Sequence, residues 1–218
     1  MAYELVVIGT SWGGLHALRK VLSGLPAGFD LPVVVVQHRH RDSDHLLVSL
    51  LQDHTPLRVC EVEDKSELAP GDVYVAPAEY HVLVEPGHLS LSTEEPIRFS
   101  RPSIDVTFES AADAYGARTI GIVMTGANDD GARGLRRIAD RGGAAIVQDP
   151  STAESAVMPT AALRMVPEAK VAKVEEIGKL IARLQARQKA AKRPALASEP
   201  SRGKPAAGGD GAPPRETR

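Results

Sequence analysis

The chain has 218 residues, of which 43% are hydrophobic, 25% charged and only 4% aromatic. A core built mainly from aliphatic side chains suits a parallel β-sheet that is covered by helices on both faces. The single cysteine, Cys60, excludes an intrachain disulfide and argues against a cysteine-based zinc site. No signal-peptide pattern and no apolar run of membrane-spanning length occur, so we expect a cytoplasmic protein without membrane insertion.

Charge differs between the bulk of the chain and its C-terminal end. Residues 1–188 carry 19 basic and 25 acidic side chains, a mildly acidic balance that argues against nucleic-acid binding. Residues 189–218 carry 7 basic and 3 acidic side chains among many prolines, alanines and glycines. Because this segment lacks apolar periodicity, we predict one folded domain over 1–188 and a disordered tail over 189–218.

The apolar pattern predicts alternating strands and helices along the domain. Buried strands are predicted at residues 5–8, 31–37, 58–62, 119–124 and 144–148, with an edge strand at 171–174. Helices are predicted after Gly14, near 46–51, from about 103 with Ser103 as the cap, around 135–139, and at 160–165 and 177–184. Short strands at 73–77, 81–84 and 88–91 predict antiparallel hairpins. The fold class is α/β, a doubly wound, mostly parallel open sheet with an appended hairpin region.

Residues 9–13 form the pattern Gly-x-Ser-x-Gly between the first strand and the first helix. Small residues on both sides of Ser11 permit a sharp turn that exposes its hydroxyl, as in a nucleophile elbow. The same serine is equally well explained as a helix cap, with the glycines only permitting the turn. The motif alone leaves both interpretations open.

Polar residues also follow two other strong strands, with His38 after 31–37 and Asp130 just past 119–124. Because sites in open α/β sheets form at the carboxyl ends of the strands, Ser11, His38 and Asp130 are candidates for a catalytic triad. Backbone amides beside Ser11 and in the 125–130 turn would supply an oxyanion hole. Singly, His38 could instead bind a carbonyl group, and Asp130 could cap the helix that follows it.

Two other kinds of site have weaker support. The segment 38–45 contains metal-capable side chains, but their spacing matches no standard zinc or calcium pattern, so we predict no metal; they are His38, His40, Asp42, Asp44 and His45. Residues 9–14 lack both the dinucleotide-binding and the P-loop patterns, which argues against a nucleotide.

Several further stretches stand in one collinear order with the serine motif. They read IGTSWGG at 8–14, QH at 37–38, PGDVYVAP at 70–77, His81, RPSIDV at 101–106, TGANDDG at 125–131 and MP at 158–159. In these stretches the first 185 residues or so resemble the catalytic domain of the CheB-type chemotaxis protein-glutamate methylesterases. Such a collinear set is far more specific than any single motif.

The resemblance implies that Ser11 is the nucleophile, His38 the general base and Asp130 the carboxylate, with the backbone amides of Trp12 and Ala127 as the oxyanion hole. It implies hydrolysis of γ-glutamyl methyl esters on methyl-accepting chemoreceptors or related signalling proteins, sometimes with glutamine deamidation, in chemotaxis or chemosensory adaptation. No cofactor is expected. Because the chain begins at the first catalytic strand, we also expect a stand-alone form without the family's N-terminal receiver domain.

Two departures from the resemblance flank the expected oxyanion hole. Many chemotaxis members have a small residue or threonine in place of Trp12, and a Met-Gly pair in place of Ala127-Asn128. We expect the indole to reshape the acyl pocket and to affect substrate choice. The alternative function is a catalytically inactive module that binds a receptor or signalling partner. An ordinary α/β-hydrolase is disfavoured, since that fold has the order Ser, Asp, His.

Overall fold

A computed structural model of the chain describes residues 2–39 and 46–192, without the side chains of 188–192. The metal-capable residues His40, Asp42, Asp44 and His45 lie outside the described residues, as does the predicted tail from residue 193 onward.

Ten strands and six α-helices form the described part of the chain. The strands are β1 (Leu5–Thr10), β2 (Val33–Gln37), β3 (Arg58–Glu61), β4 (Ser66–Glu67), β5 (Asp72–Val75), β6 (His81–Glu85), β7 (His88–Ser92), β8 (Thr119–Val123), β9 (Ala144–Gln148) and β10 (Lys170–Ala172). The helices are α1 (Gly14–Ser23), α2 (Leu46–Gln52), α3 (Ile104–Tyr115), α4 (Ala132–Asp140), α5 (Val157–Met165) and α6 (Val174–Lys192). Short 3-10 turns occupy Gly116–Arg118 and Pro150–Thr152.

Seven strands form one parallel sheet in the order β10-β9-β8-β1-β2-β5-β3. Alternate residues of β1 face opposite sides, because successive side chains of a strand point in opposite directions. Val6 and Ile8 pack in one core with α1 and α6, whereas Leu5 and Val7 pack in a second core with α3, α4 and α5. The sheet is therefore covered on both faces, and the predicted fold class is confirmed.

The region predicted to form antiparallel hairpins divides between two sheets. β6 and β7 form the expected hairpin, and β7 also pairs with β4, a strand that the sequence pattern did not predict. The segment 73–77 does not belong to this hairpin, because β5 joins the parallel sheet between β2 and β3. The prediction for this segment was wrong. Val73 and Val75 lie in the same hydrophobic core as Val6 and Ile8, as expected for a buried strand of a parallel sheet.

Helix boundaries also differ from the sequence pattern near the end of the domain. α5 begins at Val157, three residues before the predicted start, and includes Pro159 in its first turn, where a missing amide hydrogen costs little. α6 extends from Val174 to Lys192, so four residues of the predicted tail continue the helix. None of the helices in residues 2–39 and 46–192 is long and apolar enough to cross a membrane.

α3 and α4 lie close together, because a buried carboxylate and a glycine permit their approach. Asp105, in the first turn of α3, accepts a hydrogen bond from the backbone amide of Gly134 in α4 at 2.8 Å. Its second oxygen accepts one from Arg133 Nε at 3.0 Å. A Cβ atom on Gly134 would lie 2.4 Å from the Cβ of Phe108 and 3.1 Å from the carbonyl oxygen of Asp105. The helix pair therefore depends on the absence of a side chain at this position.

We expect Gly134→Ala to lower the free energy of unfolding by about 1–3 kcal/mol, because the added methyl group separates two packed helices. The control is Gly28→Ala, since an added Cβ there meets nothing within 4 Å. Urea denaturation of both variants measures the difference. Equal stability of the two variants would contradict the packing described for α3 and α4.

Candidate active site

Three strand ends meet at the centre of the parallel sheet. β1 lies between β2 and β8. From β1 the sheet continues to β2 on one side, and from β8 it continues to β9 and β10 on the other, so the direction of the strand order reverses between β1 and β8. Ser11 directly follows β1, His38 directly follows β2, and the loop 124–131 follows β8. Such a reversal point is where open α/β sheets form their sites, and it brings Ser11, His38 and Asp130 to one edge.

The turn after β1 holds Ser11 against the loop that follows β8. The amide of Ser11 donates to the carbonyl oxygen of Thr125 at 2.9 Å, and the amide of Gly14 donates to the carbonyl oxygen of Ser11 at 2.9 Å. Gly13 occupies the N-cap position of α1 with φ of 77°, a left-handed conformation that favours glycine. Ser11 therefore does not cap α1, and the helix-cap interpretation of this serine is wrong.

Gln37 connects the segments that carry Ser11 and His38. Its side-chain amide donates to the carbonyl oxygens of Ser11, at 2.9 Å, and of His38, at 2.8 Å. This role was not predicted, because the sequence shows Gln37 only as the polar end of an apolar strand. A glutamine at a strand end, directly before a candidate histidine, is the signal from which it could have been suspected.

Thr125 holds the loop after β8 in a comparable way. Its amide donates to Gln148 Oε1 at 2.9 Å, and its hydroxyl donates to the carbonyl oxygen of Trp12 at 2.9 Å. The hydroxyl of Thr10 in turn donates to the carbonyl oxygen of Thr125 at 2.8 Å. These bonds link β1, β8 and β9, so the backbone around Ser11 is held from both sides.

Asp130 accepts four hydrogen bonds in a buried position, where its side chain is 2% exposed. One oxygen, Oδ2, lies 2.7 Å from His38 Nε2 and 2.7 Å from the amide nitrogen of Ile104. The other oxygen, Oδ1, accepts from Ser103 Oγ and from the amide of Asp105, both at 3.0 Å. Each oxygen of the carboxylate therefore faces two donors.

These contacts correct two expectations about helix caps. Asp130 precedes α4 but binds the first amides of α3, so it caps a helix that comes earlier in the chain. Ser103 occupies the N-cap position of α3 without capping it, because its hydroxyl donates to Asp130. His38 binds this carboxylate through its ring rather than a carbonyl group. The pairing of His38 with Asp130 therefore agrees with the triad expected from the sequence, whereas the helix-cap expectations for Asp130 and Ser103 were wrong.

The charge of Asp130 determines which ring nitrogen of His38 carries a hydrogen. Burial raises the pKa of Asp130. The hydrogen bond from His38 and those from the amides of Asp105 and Ile104 together lower it by more, so the pKa lies below the ordinary value of 3.8. The carboxylate is thus ionised near neutral pH and can only accept. His38 Nε2 is therefore the donor, and Nδ1 is the ring nitrogen left to act as a base.

Ser11 and His38 line one open cavity of about 550 Å³, together with Trp12, Ala127 and Glu154. Among the described residues, Ser11 Oγ has no hydrogen-bond partner, and the amides of Trp12 and Ala127 donate to no backbone carbonyl. Trp12 is 66% exposed. This cavity combines an available hydroxyl, a histidine oriented by a carboxylate and two unengaged amides.

The described residues contain no group of three or more His, Cys, Asp or Glu side chains that could hold a metal ion. Of the metal-capable side chains in segment 38–45, only His38 belongs to this part of the chain.

A parallel α/β sheet with serine, histidine and aspartate at adjacent strand ends has the architecture of a serine hydrolase. Comparison with known proteins agrees with this class and narrows it. The CheB methylesterase family model matches residues 6–181. The chain belongs to the CheB methylesterase family.

Relatives and a solved structure support the same assignment. A Leptospira interrogans protein, provisionally named a protein-glutamate methylesterase/protein-glutamine glutaminase, is 45% identical over 84% of this chain and 96% of its own length. The protein-glutamate methylesterase FrzG of Myxococcus xanthus is 40% identical over 81% of this chain, which spans 53% of FrzG. The crystal structure of the Thermotoga maritima CheB methylesterase catalytic domain has a TM-score of 0.79 at 32% identity, over 84% of this chain and 100% of that domain.

We expect Asp130→Asn to lower the free energy of unfolding by about 3 kcal/mol near neutral pH, because an amide group cannot accept all four donors. In the parent chain the lowered pKa of Asp130 stabilises the folded state fully above about pH 3.8, and this stabilisation is lost as pH falls through the folded-state pKa. The difference in stability between parent and variant should therefore shrink in acid.

Urea denaturation across a pH series measures that difference. Asp53→Asn is the control, since Asp53 is exposed on the surface. A stability difference between the parent and the Asp130→Asn variant that stays constant into acid would contradict the role given to this carboxylate.

Proposed function

We propose that this protein is a protein-glutamate methylesterase that hydrolyses γ-glutamyl methyl esters on a methyl-accepting chemoreceptor or related signalling protein. The observation that carries the proposal is the 2.7 Å contact between His38 Nε2 and Asp130 Oδ2 beside the cavity that contains Ser11. Membership of the methylesterase family supports the reaction, and the names of the relatives support the substrate class.

In the proposed reaction, Ser11 Oγ attacks the ester carbonyl carbon while His38 Nδ1 takes the hydroxyl proton. Asp130 stabilises the resulting imidazolium and keeps the ring oriented. The tetrahedral intermediate collapses, and the proton on His38 leaves with methoxide as methanol. His38 then activates a water molecule that attacks the acyl-enzyme, which releases the glutamate carboxylate and restores Ser11.

The amides of Trp12 and Ala127 are the proposed oxyanion donors. Both residues line the cavity with Ser11, and their amides are unengaged by the described backbone. Since the donors are backbone groups, the indole at position 12 and the methyl group at position 127 leave the number of donors unchanged. Side-chain identity there affects the shape of the cavity rather than the chemistry.

Glutamine deamidation is a second activity of the same proposed site. The names of relatives in Leptospira interrogans and Carboxydothermus hydrogenoformans include protein-glutamine glutaminase. The same acyl-enzyme would form from a glutamine side chain, with ammonia leaving in place of methanol. Ammonia release from a receptor with unmodified glutamines is the direct measurement.

The proposal also covers the cellular location of the protein and the extent of its methylesterase domain. We propose that the protein acts in the cytoplasm and that its methylesterase domain extends through α6, with the tail beginning after Lys192. Because α6 continues to Lys192, a deletion that tests the tail is best made after this helix.

We expect Ser11→Ala to reduce methanol release from a methylated receptor by at least about 10⁴-fold while the protein stays folded, because the nucleophile is lost. Ser23→Ala is the control, since in the described part of the chain Ser23 Oγ bonds only the carbonyl oxygen of Lys20 at the end of α1. Unchanged methanol release in Ser11→Ala would overturn the proposal. Release from neither the parent nor the control would favour the alternative, an inactive module that binds a signalling partner.

We expect Trp12→Ala to raise KM for the receptor by about 10-fold, with a smaller effect on kcat, because an exposed indole beside the nucleophile offers apolar contact area to a polypeptide. The control is Val171→Ala, an exposed apolar residue on the edge strand β10. Steady-state methanol release measures both constants. A loss confined to kcat would show that Trp12 acts on the chemistry instead.

A further inference from the structure

A second cavity, of about 520 Å³, borders His38 and does not include Ser11. We call it the Arg39 cavity; Arg39, Glu79, Phe99 and Arg101 line it together with His38. His38 also lines the cavity that contains Ser11, so the two cavities meet at this side chain. The proposed reaction uses none of the other four residues.

Arg39 carries hydrogen-bond donors that lack acceptors in a buried position. Its side chain is 8% exposed, and its Nη2 forms an ion pair with Glu61. Nε and Nη1 of the same guanidinium have no hydrogen-bond partner among the described residues. Leaving donors of a buried charged group unsatisfied is costly, so Arg39 is held in place at a cost to the folded chain, and its guanidinium is part of the cavity lining.

Arg101 is a second guanidinium in the lining of the same cavity. Its Nη1 donates to the carbonyl oxygens of Thr93 and Glu94, and its Nη2 lies 3.2 Å from Glu79 Oε2. These contacts hold the side chain in place, whereas its Nε is buried without a partner in the described part of the chain. Two guanidinium groups therefore line one cavity, and their charge favours an anionic ligand with oxygen acceptors.

The carboxylates that already contact these arginines do not cancel this preference. Glu61 is 27% exposed, against 8% for Arg39, and Glu79 is also more exposed than Arg101. Solvent screens a charge more strongly as its exposure increases, so the buried guanidinium of Arg39 dominates the field inside the cavity. Among the side chains of a polypeptide, an anionic carboxylate is the group that this positive charge attracts.

The outer wall of the cavity is a strained turn that exposes an aromatic ring. Arg98 and Phe99 both have positive φ, of 48° and 66°, and the backbones of Ile97 and Ser100 bond each other in both directions. Phe99 is fully exposed. Non-glycine residues in this conformation are disfavoured, and such strain is found at functional sites. The ring of Phe99 therefore adds an apolar surface beside the guanidinium groups of Arg39 and Arg101.

We propose that the Arg39 cavity is a specificity subsite that binds a free carboxylate side chain on the same polypeptide whose methyl-esterified glutamate lies at Ser11. The inference rests on the proposed function and extends it, since it assigns the substrate a second acidic residue near the scissile ester. Arg39 and Arg101 bind that carboxylate, and Phe99 contacts the apolar part of the same segment.

The test uses the Ser11→Ala chain, which binds without turnover, and short helical peptides with one glutamate γ-methyl ester and one free glutamate. The spacing between the two is varied over two helical turns, and each peptide has a counterpart with glutamine and one with lysine in place of the free glutamate. We expect the dissociation constant of the glutamate peptide at one spacing or more to be about 10-fold lower than that of its glutamine counterpart.

Arg39→Met in the same background should abolish this preference. The matched control is Arg58→Met, which removes an exposed arginine that pairs with Asp72 at the start of β5. Arg39→Lys keeps the charge with fewer directed donors, so it should retain part of the preference. Calorimetric titration measures binding, and circular dichroism confirms that each variant is folded.

Three results would overturn the subsite: equal binding of glutamate and glutamine peptides at every spacing, tighter binding of lysine peptides, or a glutamate preference that persists in Arg39→Met. The peptide comparison on the unaltered Arg39 decides the first two even when Arg39→Met does not fold. Because binding is measured without turnover, the subsite can fail while methanol release persists. The reverse result, an Arg39-dependent preference without methanol release, would overturn the proposed function instead.

Discussion

The buried carboxylate of Asp130 is the group on which the arrangement of the site depends. It accepts from His38 at the end of β2 and from Ser103, Ile104 and Asp105 at the start of α3. One side chain therefore orients the imidazole and supplies the missing acceptors of a helix N-terminus. Because all four donors bind this one carboxylate, the position of the histidine ring is fixed relative to α3.

The two helices beside the site are joined through aspartates. Asp130, which precedes α4, accepts the first amides of α3, and Asp105 in α3 accepts the amide of Gly134 in α4. Each carboxylate accepts backbone amides in the first turn of the other helix, where such donors lack partners within the helix. The stability of the helix pair and the position of the carboxylate behind His38 therefore have the same physical origin.

His38 also joins the proposed catalytic cavity to the proposed recognition cavity. It borders both the cavity with Ser11, Trp12 and two unengaged amides and the Arg39 cavity. Both are open, which the proposed action on side chains of a folded partner requires. Each cavity has an exposed aromatic ring in its wall, Trp12 in the first and Phe99 in the second.

The sequence by itself determined the α/β class, most strands of the sheet and the three residues at the strand ends, because apolar periodicity and turn chemistry are local. It did not determine that segment 73–77 joins the parallel sheet, that Asp130 caps α3, or that Gln37 bonds the backbones of Ser11 and His38. Only the tertiary structure decided these points, as it did the burial of Arg39. Each depends on which distant segments become neighbours, and that follows from strand order and helix packing rather than from any local pattern.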